Sequence, residues 1–195
     1  MREIRLSAIV IVSVLAALLA NGARYSISPF HGFAWLINII ASLVIGVWTI
    51  VKDSRDYQLN KTWKMFLPSI LCCIGLLAVV GISRNVDKTF EKPTLLNAFY
   101  DGSYNGRGID FKADGTYIMD DMAIGFVDYA YGTYSLDSNR IILDPPTEGS
   151  KHNIHYMVIV EPKNGDDLYL LETDSIGKST APNVKYRVRV DNRRR

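Results

Sequence analysis

Cysteine is nearly missing from this 195-residue chain: Cys72 and Cys73 are adjacent, and both fall inside one apolar run. The region after residue 82 has none, so it must fold without the disulfides on which many small secreted domains rely. A vicinal pair in an apolar helix reads as small, polarizable packing residues, and it lacks the spacings of metal or redox motifs. Charge is also missing, over three long stretches: Asp, Glu, Lys and Arg are absent from residues 6–23, 33–51 and 65–83. Ionisable groups inside a membrane usually mark a transport path, so their absence argues against one. The net charge of only +2 leaves no global footprint for nucleic acid. Catalytic signatures are scarce too. There is no G-x-S-x-G elbow, and only two of the three histidines lie after residue 82.

What is present is lopsided. Residues 1–82 hold seven Lys and Arg against three Asp and Glu, for +4, whereas residues 83–195 are near neutral at −2. The first run, Leu6 to Ala23, would be roughly 27 Å long as a helix, close to the hydrocarbon thickness of a bilayer. Because "MREIR" precedes it and "ANGA" ends it, the run reads either as a spanning helix or as a cleaved signal peptide. The second run, Phe33 to Val51, carries Trp35 and Trp48 near its ends, as interfacial aromatics do. The third, Met65 to Ser83, has Pro68 in its first turn, where a missing N–H is tolerated. Three transmembrane helices over residues 1–82 are the expectation, with Asn38 and the Ser and Thr side chains as packing groups between them.

Lys and Arg on the short connections set the orientation. Arg2 and Arg5 precede the first run, and Lys52, Arg55, Lys61 and Lys64 separate the second from the third; only Arg24 lies between the first and second. The six belong in the cytoplasm, which leaves the region after the third run outside. Cleavage of the first run does not alter that result.

Residues 83–94 are polar, contain Pro93, and read as a linker or a helix extension. From residue 95 the hydrophobic period changes to two. Candidate strands are 98–104, 108–112, 116–119, 126–136, 140–143, 154–161, 168–172 and 185–190, joined by turn-rich connectors such as "ADG", "DSN" and "KNGDD". Eight short strands with no convincing helix predict an all-β antiparallel domain over 95–195, closed into a small meander barrel or folded into a sandwich.

Two near-copies, "DGTY" at Asp114–Tyr117 and "YGTY" at Tyr131–Tyr134, lie in this domain. Gly115 follows Asp114 where a tight hairpin needs positive φ. Gly132 falls within a long strand, where an isolated glycine predicts a bulge or a bend.

The succession "ADGTY", "GTYSL", "DSN" and "RIIL" resembles the lipocalin-like small β-barrel domains of bacterial envelope proteins, over about residues 100–143. The resemblance implies a non-catalytic binding or interaction module. Eight strands leave little room beyond the side chains that fill them, which argues against a ligand held in the interior.

The remaining constellations read as structural. "GKST" at Gly177–Thr180 lacks the earlier glycine and the following helix of a phosphate loop. His152 and His155 would point to opposite faces of a strand. Asp110, Asp114, Asp120 and Asp121 lack the ligand ladder of a calcium loop. No cofactor or metal site is expected. Candidate interaction residues are Tyr129 and Tyr131, on one face of a strand and of a type favoured at interfaces, together with Arg187, Arg189, Arg193, Arg194 and Arg195, suited to anionic headgroups or an acidic partner. These features predict a non-enzymatic, multi-pass inner-membrane protein whose partners are the bilayer and other membrane subunits. A periplasmic immunity protein that captures a toxin or small ligand is the alternative.

Overall fold

A computed structural model of the chain describes residues 2–162 and 167–193. It forms two compact units: Met1–Arg24 with Pro29–Lys88, and Tyr25–Ser28 with Thr89–Arg195.

The first unit is helical. Helices α1 (Arg2–Gly22), α2 (Pro29–Asn60) and α3 (Leu67–Phe90) are each long and apolar enough to cross a membrane, and a 3₁₀ turn (Trp63–Phe66) precedes α3. The packing is inverted relative to a water-soluble bundle. Ala16, Ala20, Asn38 and Thr49 are buried, while Leu18, Phe33 and Leu77 are exposed. Small and polar residues inside with large apolar ones outside is how helices pack when lipid is the solvent. Asn38 donates to the carbonyl of Val12, and a Cβ on Gly75 would come within 2.3 Å of Ser13 Oγ. One expectation changes here and one alternative is decided. The basic segment after Val51 is helical through Asn60 rather than a loop, and α3 continues to Phe90, so of the two readings of the segment after residue 82 the helix extension holds for residues 83–90.

One polar cluster ties all three helices together. The Arg5 guanidinium donates to Asp53 Oδ1 at 2.7 Å and to Asp56 Oδ2 at 3.0 Å. Asp53 Oδ2 in turn accepts the backbone N–H and the hydroxyl of Ser69, at 3.0 and 2.7 Å. Asp53 thereby satisfies an orphan donor in the first turn of α3, a capping role filled from another helix. Arg5 and Asp53 are 4% and 0% exposed, so both charges are buried and paired.

The second unit is a closed antiparallel barrel. Its strands are β1 (Ser26–Ile27), β2 (Thr94–Asp101), β3 (Gly106–Lys112), β4 (Thr116–Ala123), β5 (Phe126–Asp137), β6 (Arg140–Leu143), β7 (Glu148–Gly149), β8 (Tyr156–Val160), β9 (Tyr169–Thr173) and β10 (Lys185–Asp191). Eight of them form the ring, in which β2 to β6 and β8 to β10 pair with successive neighbours and β10 returns to β2. The short β1 and β7 add to the flank of β5. Closure removes the free edges that would template association. Each of the eight expected strands corresponds to one stave, because an alternating pattern is what a barrel wall with a filled interior requires. The connector Lys163–Asp167 lies, apart from Asp167, outside the described residues.

Strand β1 comes from the connection between α1 and α2. Ser26 and Ile27 pair with Asp128 and Val127, and the carbonyl of Tyr25 accepts from the Tyr129 N–H at 2.8 Å. The first connection thus belongs to the barrel unit. At the other junction the buried Lys112 ammonium donates to the carbonyls of Phe90 and Lys92, at 2.8 and 3.1 Å, and pairs with Asp110 at 2.7 Å. A cation is placed on the Phe90 carbonyl, the last of α3, where the helix dipole favours it.

The core runs along the barrel axis. Leu96, Ile109, Phe111, Tyr117, Met119, Ile141, Met157, Leu170 and Tyr186 are each at most 2% exposed. Gly115 has φ +83°, the left-handed conformation expected of the hairpin glycine. Gly132 departs from expectation. It pairs with Tyr117 in an unbroken register, without bulge, and its role is steric, since a Cβ there would lie 2.6 Å from the Tyr117 ring. The bulges lie elsewhere, between Thr94 and Leu96 and between Val188 and Val190.

Candidate functional site

In the described part of the barrel unit, polar side chains gather in a cup within one mouth of the barrel and on the outer face of β10. The cup arises where the inward phase of four strands turns polar. Arg107 precedes Ile109 and Phe111 by twos, Asp121 follows Tyr117 and Met119, Glu172 follows Leu170, and Tyr186 faces in from β10. Arg107 Nε is hydrogen-bonded to Asp121, and its other end is 3.9 Å from Glu172 Oε1, which also accepts the Tyr186 hydroxyl. Tyr100 and Asn105 help to line a space of about 330 Å³ around this network. Burial and the Glu172 carboxylate push the Tyr186 phenol well above its ordinary pKa.

A second chain of hydrogen bonds involves His152. His152 lies in the irregular segment before β8, not in a strand. Its Nδ1 accepts from the Ile154 N–H at 3.3 Å, which leaves Nε2 to donate to the Tyr117 oxygen at 2.8 Å, and the Tyr117 hydroxyl donates to the Asp144 carbonyl at 3.0 Å. Burial raises the Tyr117 pKa to about 12, with the Asp144 charge adding to the effect. Burial and the nearby Arg107 charge lower that of His152. His155 is exposed and does not join it.

The structure disperses the acidic residues. Asp110 pairs with Lys112, Asp121 with Arg107, and Asp114 with Lys92 at 2.7 Å. Hydrogen bonds from Lys92, then Thr116, hold the Asp114 carboxyl at about 2. Asp120 lies across Gly108, where a Cβ would meet its carboxylate oxygen at 2.1 Å. "GKST" forms the turn between β9 and β10: Gly177 has φ +85°, and Asp174 Oδ1 accepts from the N–H groups of Ile176 and Lys178.

The expected interaction residues separate into three groups. Tyr129 and Tyr131 do share a face of β5, with ring centres 6.4 Å apart, but Phe90 packs edge-on against both, at 5.3 and 6.4 Å. Tyr131 is only 7% exposed, so it is a packing residue rather than part of an open patch. Arg187 and Arg189 do face outward on β10, together with Lys185. Arg193 folds back on Asp191 through two hydrogen bonds, at 2.8 and 2.7 Å, which closes its charge locally. Arg194 and Arg195 lie outside the described residues.

The cup residues were missed because they are spread over some 80 positions and no two adjoin. A signal was there: a polar residue in the inward phase of an otherwise apolar strand, as Arg107 is. No protein-family model, no curated protein and no solved structure matches the chain.

Proposed function

We propose that this chain is a non-catalytic, multi-pass protein of the bacterial inner membrane that presents a lipocalin-like barrel on the extracytoplasmic side for protein interaction, as an accessory subunit of a larger membrane assembly. The observation that carries this reading is the filled barrel axis. Phe111 and Met157 are 0% exposed, and Tyr117, Met119 and Tyr186 are 1% exposed, so the domain offers surfaces rather than an interior chamber. The Arg107 cup supports the same reading, because its carboxylates are already engaged by Arg107 and Tyr186.

The orientation rests on the distribution of Lys and Arg, and the position of β1 supports it. The connection between α1 and α2 pairs with β5, which supports assigning it to the same side of the membrane as the barrel. That connection is the one with a single basic residue. The Arg5–Asp53 pair supports keeping α1 as a member of the bundle, since its loss would leave a buried carboxylate without its cation.

The alternative, an immunity protein that captures a toxin or small ligand, draws its support from the roughly 330 Å³ of open space in the cup. Affinity purification of the native chain in mild detergent separates the two. A stoichiometric membrane partner without added ligand supports the accessory subunit. A lone chain that then retains an added toxin supports immunity.

A further inference from the structure

On the outer face of β10, Lys185, Arg187 and Arg189 are all exposed; Lys185 and Arg187 stand at alternate positions of regular strand, roughly 6.5–7 Å apart, and Arg189 follows in the bulge between Val188 and Val190. Two of the three cations lie over aromatic rings. Lys185 Nζ is 5.0 Å from the ring centre of Tyr169, and the Arg189 guanidinium is 4.1 Å from that of Phe99. Such stacking holds a charge at the surface while limiting the rotamer freedom it would lose on binding. Two shallow depressions flank β10 and share Lys185 and Arg187: one of about 340 Å³ on the side of Tyr169, and one of about 400 Å³ on the side of Phe99 and Tyr100, a groove that all three cations line. Asp101 also lines this groove, and Asp167 lines the other depression. Asp167 is 3.4 Å from Arg187 Nε, but both side chains are at least 70% exposed, so water competes freely for that contact. Asp120 acts on Arg189 from the neighbouring strands. Among the described residues that line the groove beside Phe99, three cations face one carboxylate, Asp101.

We propose that this groove binds an acidic, extended segment of a protein partner with carboxylates at alternate residues. The inference rests on the partner-binding reading above and names its surface and chemistry. An extended segment repeats its own same-side residues at the spacing of Lys185 and Arg187, so two alternate carboxylates meet those two charges, and Arg189 adds its charge beside them at the bulge. A membrane surface has no need of such a line or of an aromatic-walled groove.

The test uses the full chain in phosphatidylcholine nanodiscs and a labelled peptide of alternating Glu and Ser. Binding is expected to weaken at least about tenfold in the triple variant K185Q, R187Q, R189Q, because each exposed pair contributes a few-fold, and to fall as salt rises. In the reversed variant R187E, R189E a peptide of alternating Lys and Ser is expected to bind instead. Equal binding of the Glu peptide by the native and triple-variant chains overturns the proposal. So does capture of phosphatidylglycerol vesicles with no binding of the peptide. If a native partner co-purifies undiminished with the triple variant, this surface is wrong and the accessory-subunit reading stands; if no partner accompanies the native chain, both fall.

Discussion

Tyr117 lies against Gly132. The two are cross-strand partners on β4 and β5, and the ring occupies the volume where a Cβ on Gly132 would be, 2.6 Å from its atoms. They belong to the two near-identical segments of the sequence, which pair antiparallel: Thr116 opposes Thr133, and the Tyr134 N–H reaches the Gly115 carbonyl at 2.9 Å. The first copy turns a hairpin, and the second makes room for the tyrosine of the first.

Gly132→Ala is therefore expected to destabilise the barrel by about 1–3 kcal/mol, the usual range for overpacking a core. Tyr117→Leu removes the obstructing ring, so the double variant should lose less than the two single losses added together. Denaturant unfolding of all four proteins provides the cycle. Coupling below about 0.5 kcal/mol would show that the close approach does not matter.

Stability should fall toward both ends of the pH scale for different reasons. Tyr117 titrates at about 12 in the fold against 10.0 for an ordinary tyrosine, so the folded chain binds the extra proton between those values and loses stability as pH rises through them. Tyr186 is shifted in the same direction. His152 is shifted down, so its contribution is present above the ordinary value of 6.5 and is lost as pH falls through the lower folded value. Melting temperature recorded against pH should show both limbs, and His152→Gln should flatten the acid one.

Arg5 joins α1 to Asp53 and Asp56 of α2. Arg5→Ala should destabilise the helical unit by about 3–5 kcal/mol, because it strands a buried carboxylate. Arg5→Lys should fall between, since an ammonium cannot fork to two carboxylates. The intact mass of the protein purified from membranes should include residues 2–22; a mass lacking them would contradict a structural role for this pair.

The barrel was legible because each stave carries its own alternation, and length and apolarity alone revealed the three spans. The end of α3 was not. Residues 83–90 read either as a linker or as a helix extension on composition, and what satisfies the Phe90 carbonyl at the helix end is Lys112, 22 residues further on. Tyr129 and Tyr131 were correctly placed on one face, but the strand pattern could not show that Phe90 covers it. The glycine at position 132 signalled a special backbone, whereas the actual constraint is a ring on the next strand. Arg187 was readable because outward alternation on a strand needs no knowledge of what lies across it, whereas at Arg189 the alternation ends in the bulge between Val188 and Val190.

The central claim is that the barrel stands outside the membrane and holds a protein partner there. Its most direct test is photocrosslinking in intact cells, with a photoreactive amino acid at Asn183, which is exposed and lines the β10 groove. The account expects one discrete adduct with another envelope protein. Adducts with cytoplasmic proteins alone, or none from Asn183 or from the exposed Ile176, would contradict it.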